Sequence, residues 1–288
     1  MEININGKPA DITLESEKTV GEVLGGIYQW LEGSGYYVSG LSIDGKTYGS
    51  LSLDGAFTLP LAGLSSMDVK TTGWADLMME ALAGLKHDLE YLESQNREEK
   101  QNFSRNWETS ASALFLKENG QDIYRAALKA MDGESTSISP LETTVLISER
   151  MREIENPARE MAALNSLSEE ISKRLEDVPL DMQTGKDSRA AETISAFSTL
   201  TEKIFRLIFL FGYFGTDIDS IEVPQMTGSE KPCLKDFIGE FSAALKETIS
   251  AYENKDSILV GDLAEYELAP RLRVLTSVLC GIQPGKTP

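Results

Sequence analysis

Residues 1–48, MEININGKPADITLESEKTVGEVLGGIYQWLEGSGYYVSGLSIDGKTY, decide how this chain reads. Ile3 and Ile5 alternate with Asn4 and Asn6, the period of a strand with one buried face. Gly7-Lys8 suits a two-residue turn, and Ile12 and Leu14 resume the alternation, so the segment reads as a β-hairpin. Thr19 followed by Glu22 is a capping box. Val20, Val23, Leu24, Ile27 and Leu31 then fall on one face at helical spacing, and Gly33-Ser34-Gly35 closes the helix. Tyr36 to Ile43 is a strand rich in aromatic and β-branched residues. Asp44-Gly45 turns it into a hairpin with Lys46, Thr47 and Tyr48. Further on, a loop carrying Leu59, Leu61 and Leu64 precedes a last strand, Met67 to Thr72.

Strict alternation puts Asn4, Asn6, Thr13, Ser42, Asp68, Lys70 and Thr72 on the open face of this sheet. Tyr36 and Val38 are its apolar exceptions, with Tyr37 beside them. These three are candidate interface residues, since an exposed aromatic is a fair anchor for a partner. The alternative is that the tyrosines pack on the chain's own helices. Gly21 and Gly25 lie one turn apart inside the helix, where each glycine costs about 0.5–1 kcal/mol relative to alanine. Something approaches closely there, either the module's own sheet or a partner, and the two glycines join the candidate interface.

The element order strand-strand-helix-strand-strand-loop-strand over residues 1–72 resembles the ubiquitin-like β-grasp superfamily. The resemblance covers a quarter of the chain and is carried by element order. Members act as carriers or as docking modules. Carriers of the sulfur-transfer and conjugation type end in a free Gly-Gly. Here the module continues through Thr71-Thr72-Gly73 into Trp74, and Gly25-Gly26 lies within the helix. The resemblance therefore implies docking, barring cleavage at Gly73.

The rest reads as helices. One long helix is expected from Trp74 to about Gln101, with Met78, Leu82, Leu85, Leu89 and Leu92 as its seam. A second runs from about Asn106 to Met131, with Gly120 as a break. Ser139-Pro140-Leu141-Glu142 starts a third, which Asn156-Pro157 kinks or restarts on the way to Glu176. After a loop over 178–186, Asp187 caps a helix with Ile194, Phe197, Ile204, Ile208 and Phe211 on one side. That helix is apolar almost all round from Ile204 to Phe214, which places it centrally. Helices over about 231–252 and 256–280 form an antiparallel hairpin, and Pro270 kinks the second. The expected class is α+β: a β-grasp domain over 1–73, an all-helical bundle over 74–281 and a flexible tail over 282–288.

The 288 residues carry a formal charge of −19, with 41% hydrophobic residues. Such a field repels phosphate backbones and anionic membrane surfaces, leaving proteins as the expected partners, with homo-oligomerisation open. Cys233 and Cys280 match no disulfide framework or zinc spacing. The N-terminus lacks a secretory pattern, and the longest apolar run, Leu207 to Phe214, falls far short of a membrane span. A cytoplasmic protein is expected.

No catalytic, cofactor or metal motif stands out. His87, the single histidine, lies off the Leu85/Leu89 seam and faces solvent. Thr184-Gly185-Lys186-Asp187 and Gly285-Lys286-Thr287 lack the leading glycine and the strand–loop–helix context of a phosphate loop. The densest polar cluster is Asp262, Glu265 and Tyr266, which share a helix face, with Glu267 and Arg271 forming an i,i+4 pair beside them. Paired carboxylates could perform acid/base chemistry, and interhelical hydrogen bonding is the plainer use. The sequence thus reads as a non-enzymatic adaptor or scaffold. The alternatives are a chaperone-like or secretion-linked factor using Phe205, Phe209 and Tyr213, and an enzyme built on the Asp262 cluster.

Overall fold

Two left-handed turns set the sheet. Asn6 and Gly7 have φ of 52° and 72°, and Asp44 and Gly45 have 46° and 83°. Both pairs make the tight hairpin turn whose twist matches flanking strands. The first turn sits one residue earlier than Gly7-Lys8, because asparagine enters positive φ at lower cost than lysine. The computed structural model describes residues 1–14, 16–49, 54–132, 139–224 and 232–282.

The chain is α+β, a five-stranded mixed sheet followed by helices. In chain order the sheet module holds β1 (Glu2–Ile5), β2 (Lys8–Pro9), α1 (Val20–Leu31), β3 (Tyr36–Ile43), β4 (Lys46–Gly49), α2 (Asp54–Phe57) and β5 (Ser66–Gly73). The strand order is β2-β1-β5-β3-β4, with β1 and β5 parallel and every other pair antiparallel. β2 is two residues long and does not extend to Ile12 and Leu14. Pro9 has no N–H to give the ladder, and after Ala10 donates to the Ile3 carbonyl the chain turns away. α1 begins with the expected capping box: Glu22 N–H donates to Thr19 Oγ1, and Thr19 N–H to the Glu22 carboxylate. Its stripe of Val20, Val23, Leu24, Ile27 and Leu31 is buried against Ile3, Val38, Leu41, Ile43, Met67 and Val69. Each such side chain contributes about 1.5–3 kcal/mol of burial energy.

Strict alternation fails in β3. Val38 pairs with Thr71 and Gly40 with Lys70, so Ser39 is an extra, bulged residue. Tyr36 and Val38 consequently lie on the helix side of the sheet, and Tyr37 takes the open face with Ser42, Asp68, Lys70 and Thr72. Asn6 occupies the first turn and Thr13 lies outside the strands, so neither belongs to the open face.

Helices follow as α3 (Trp74–Leu92), α4 (Arg97–Glu108), α5 (Ala111–Asn119), α6 (Gln121–Asp132), α7 (Pro140–Glu155), α8 (Pro157–Ala163), α9 (Asn165–Glu176), α10 (Val178–Gln183), α11 (Asp187–Tyr213), α12 (Leu234–Glu253), α13 (Ser257–Asp262) and α14 (Ala269–Cys280). The seam Met78, Leu82, Leu85, Leu89 and Leu92 is buried in α3. That helix stops at Leu92 because Asn96 and Glu99 form a new capping box that starts α4. Gly120 separates α5 from α6, and Ser139 with Glu142 caps α7 as expected. The expected loop over 178–186 contains α10, and Asp187 is a first-turn residue whose side chain makes no cap. Gly185 (φ 73°) serves as a turn. Pro270 is accommodated by a π turn over Leu263–Leu268 just before it. A proline offers no N–H and crowds the carbonyl four residues back; the wider turn relieves both demands.

The chain divides into compact units over 1–151 and 152–288. The change from sheet to helices, at Gly73/Trp74, falls inside the first. The expected tail over 282–288 and Gly285-Lys286-Thr287 lie, beyond Ile282, outside the described residues. Among the described residues no helix is long and apolar enough to cross a membrane.

Candidate functional site

α1 points its stripe into the sheet and leaves its other aromatics outside. Trp30 is 69% exposed and Tyr28 42%. On one flank of α1 lies a groove of about 610 Å³, closed on its far side by β2 and the segment after it. Val23, Ile27, Ile5 and Leu14 supply apolar floor, Ile12 and Trp30 form rims, and Gly26 leaves the middle open because no side chain fills it. Asp11, Glu17 and Glu22 bring carboxylates to the margin, opposed by Lys8. The short β2 makes this groove: the chain beyond Pro9 crosses the flank of α1 as an irregular segment and not as a strand.

At the C-terminal end of α1 a second pocket, about 640 Å³, is lined by Tyr28, Leu31, Glu32, Tyr36 and Tyr37 among others. Gly33 and Gly35, at φ of 76° and 74°, turn the chain sharply enough to bring β3 back beside the helix. Ser34 fixes this turn, its hydroxyl donating to the Leu31 carbonyl at 2.6 Å and accepting from Tyr36 N–H at 3.2 Å.

The candidate interface residues divide. Tyr36 is 56% exposed at this pocket. Tyr37 is half-buried, its ring meeting Phe115 of α5 edge-on at 5.5 Å. On that open face the tyrosine packs on the chain's own helix. Val38 is buried in the sheet core and unavailable to a partner, a consequence of the Ser39 bulge. Gly21 is approached closely by α2: a Cβ there would lie 2.8 Å from the Phe57 carbonyl oxygen. Gly25 faces open space. Sequence reasoning missed Trp30 and Tyr28. Their signal was available, two aromatics on α1 outside the buried stripe, but the groove beside them depends on where the chain goes after Pro9.

In the 152–288 unit, Asp262 and Tyr266 are exposed and Glu265 half-buried beside the π turn. Glu265 hydrogen-bonds the Tyr266 hydroxyl, and that bond, with the charges of Glu265 and Asp262, raises the phenol above its ordinary value. The three share a surface, and none of them lines the grooves described above. Glu267 and Arg271 form the expected i,i+4 pair, and Glu240 stands 3.8 Å from Arg271. On α11, Phe209 is 55% exposed while Phe205 and Tyr213 are half-buried, Phe205 against Phe241 of α12. The helix is therefore covered on one side, by neighbours of Leu207, Leu210 and Phe211, and is not central all round. His87 is exposed. Among the described residues no three His, Cys, Asp or Glu side chains gather as a metal site would need.

Residues 1–73 match a family model described as the TP0873 N-terminal domain. Residues 160–277 match a domain of unknown function, DUF8042. The first match spans the sheet module from β1 to β5, and the second runs from α8 into α14. A protein of Treponema pallidum (strain Nichols), described as an uncharacterized protein, is 24% identical over 285 residues, which is 99% of each chain. The similarity thus runs through both units. No solved structure matches the chain.

Proposed function

We propose that this chain is a non-enzymatic adaptor or scaffold that binds a protein through its N-terminal module, which we read as a ubiquitin-like β-grasp docking unit. The observation that carries the reading is Trp30, 69% exposed on the rim of an apolar groove. Tryptophan is expensive to leave in water, and interface hot spots are enriched in it. A groove of about 610 Å³ has room for one or two large apolar side chains from a partner. The net charge of −19 directs the reading away from nucleic acid and anionic membranes and toward a protein, in the cytoplasm. A second copy of the chain is one such protein.

The test is affinity capture with the intact chain and with Trp30→Ala, an exposed position whose truncation leaves the core untouched. A partner held by the wild type and lost from a variant with the same thermal melt supports the reading. Identical captured sets overturn it. Light scattering of the pure chain separates self-association from a different partner.

A chaperone-like role draws on one observation, the exposure of Phe209 between Phe205 and Tyr213 on α11. It predicts that Phe209→Ser lowers suppression of a client's aggregation while Trp30→Ala does not.

A further inference from the structure

We propose that the pocket at the C-terminal end of α1 receives a basic side chain, an arginine guanidinium, presented by the protein partner. The inference rests on the docking reading of the module and specifies the partner's chemistry.

The pocket is built from groups that favour a cation. Tyr28 and Tyr36 expose ring surface at its walls. Ring faces carry negative potential and attract a cation within about 6 Å of the centroid. Glu32 contributes a carboxylate, and the lining holds no lysine or arginine to neutralise it. Glu32 is also the C-cap of α1, whose last turn has no basic residue. The negative end of the helix dipole is therefore unanswered by the helix itself. The module around it has 4 Lys/Arg against 9 Asp/Glu over residues 1–73, so the longer-range field has the same sign.

An apolar side chain would satisfy the rings but would strip water from Glu32 and the helix end without replacing it. A guanidinium answers both, its plane lying against a ring and its fork donating to the carboxylate. The site is also held in shape before any ligand arrives. Ser34 N–H and hydroxyl both bond to the Leu31 carbonyl, and the Gly35 carbonyl accepts from Trp74 N–H at 3.2 Å. Little ordering remains to oppose binding.

The experiment titrates the full-length chain, followed by amide NMR, with two probes: the peptide Gly-Gly-Arg-Gly-Gly and its citrulline analogue, which keeps the shape and loses the charge. The expected result is saturable shifts centred on Glu32, Gly33, Gly35 and Tyr36 with the arginine peptide. The citrulline peptide should bind about tenfold more weakly. Tyr36→Leu and Glu32→Gln, both at exposed positions, should each weaken the arginine peptide by about threefold or more and raised salt should weaken it further. Equal binding of the two peptides, absence of saturable shifts, or indifference to both substitutions overturns the proposal. Tetramethylammonium binding more tightly than the arginine peptide would overturn its assignment to a protein-borne cation. Trp30→Ala should bind the arginine peptide as the wild type does. If it also captures the same partners, the docking reading falls while the cation pocket stands. If partners are lost but no arginine peptide ever binds, the reverse holds.

Discussion

The sheet module and the 152–288 unit bury different things. Among the described residues, the module's buried side chains are all apolar, from Ile3 to Val69. The second unit buries Glu153 and Asp181, together with Ser168, Ser172 and a series of threonines that includes Thr193, Thr248 and Thr276. Glu153 is gripped by Arg206 through two bonds of 3.1 Å, with Lys203 at 3.8 Å, and Lys203 reaches Glu160 at 3.0 Å. Asp181 accepts from Arg189 Nε at 2.6 Å. Thr248 and Thr276 return their hydroxyls to the carbonyls of Ala244 and Leu272 on their own helices. The module should therefore be most sensitive to volume and backbone geometry, and the second unit to losing one partner of a charge pair.

The sharpest way to break this contrast is Glu153→Ala. It leaves Arg206 half-buried without its carboxylate while Lys203 keeps Glu160, and removing one partner of a buried pair costs up to about 3–5 kcal/mol. Urea unfolding should show the loss, and hydrogen exchange should place it in α11 while residues 1–73 keep their protection. A loss under about 1 kcal/mol would mean that the pair contributes little and that the contrast is one of composition only.

A pair of substitutions in α1 probes the other side. Gly21→Ala forces a Cβ to 2.8 Å from the Phe57 carbonyl oxygen, backbone that cannot swing aside, and overpacking of this kind costs about 1–3 kcal/mol. Gly25→Ala meets open space and should stabilise by about 0.5–1 kcal/mol through helix propensity. Opposite signs in thermal melts would confirm that space, not residue type, decides. Equal effects would contradict it.

The smallest expected effect is on pH. The Arg273 guanidinium bonds Glu176 and holds its carboxyl below the usual range. A depressed carboxyl stabilises the fold above its unfolded value and loses that contribution as pH falls through the folded one. The window therefore opens near 4.5 and extends downward. Both groups are partly in water, so the step should be a few tenths of a kcal/mol. Melting temperatures of Arg273→Met against wild type, followed from neutral to acid, should converge across that window.

These contrasts were partly legible in the chain. The α1 capping box, its apolar stripe, the Asp44-Gly45 turn and the Ser139 cap are encoded within four residues, and each appears where the spacing puts it. Asn96-Glu99 carries the same signal as Thr19-Glu22, but the leucine seam before it runs on smoothly enough to hide the stop. The groove beside Trp30 was not legible, because it depends on where an irregular segment lies after Pro9. Nor was the Glu153 cluster, whose members come from α7, α8 and α11, with 53 residues separating Glu153 from Arg206. Side-chain alternation in β3 was legible after Ser39 and misread before it, since one bulged residue inverts every face assignment on its N-terminal side.

That extra residue has a consequence for how errors would be tolerated. Ser39 is slack in the strand: β5 does not need it, and the ladder resumes on either side of it. Were the slack to migrate past residues 36 and 37, the register would move by one: Tyr37 would take the place opposite Gly73 that Tyr36 now holds, Val38 the place opposite Thr72, and Ser39 the place opposite Thr71. The pocket would still hold a tyrosine. Doubling that side chain makes the pocket indifferent to a miscount of one, while the core, given Ser39 in place of Val38, would not be.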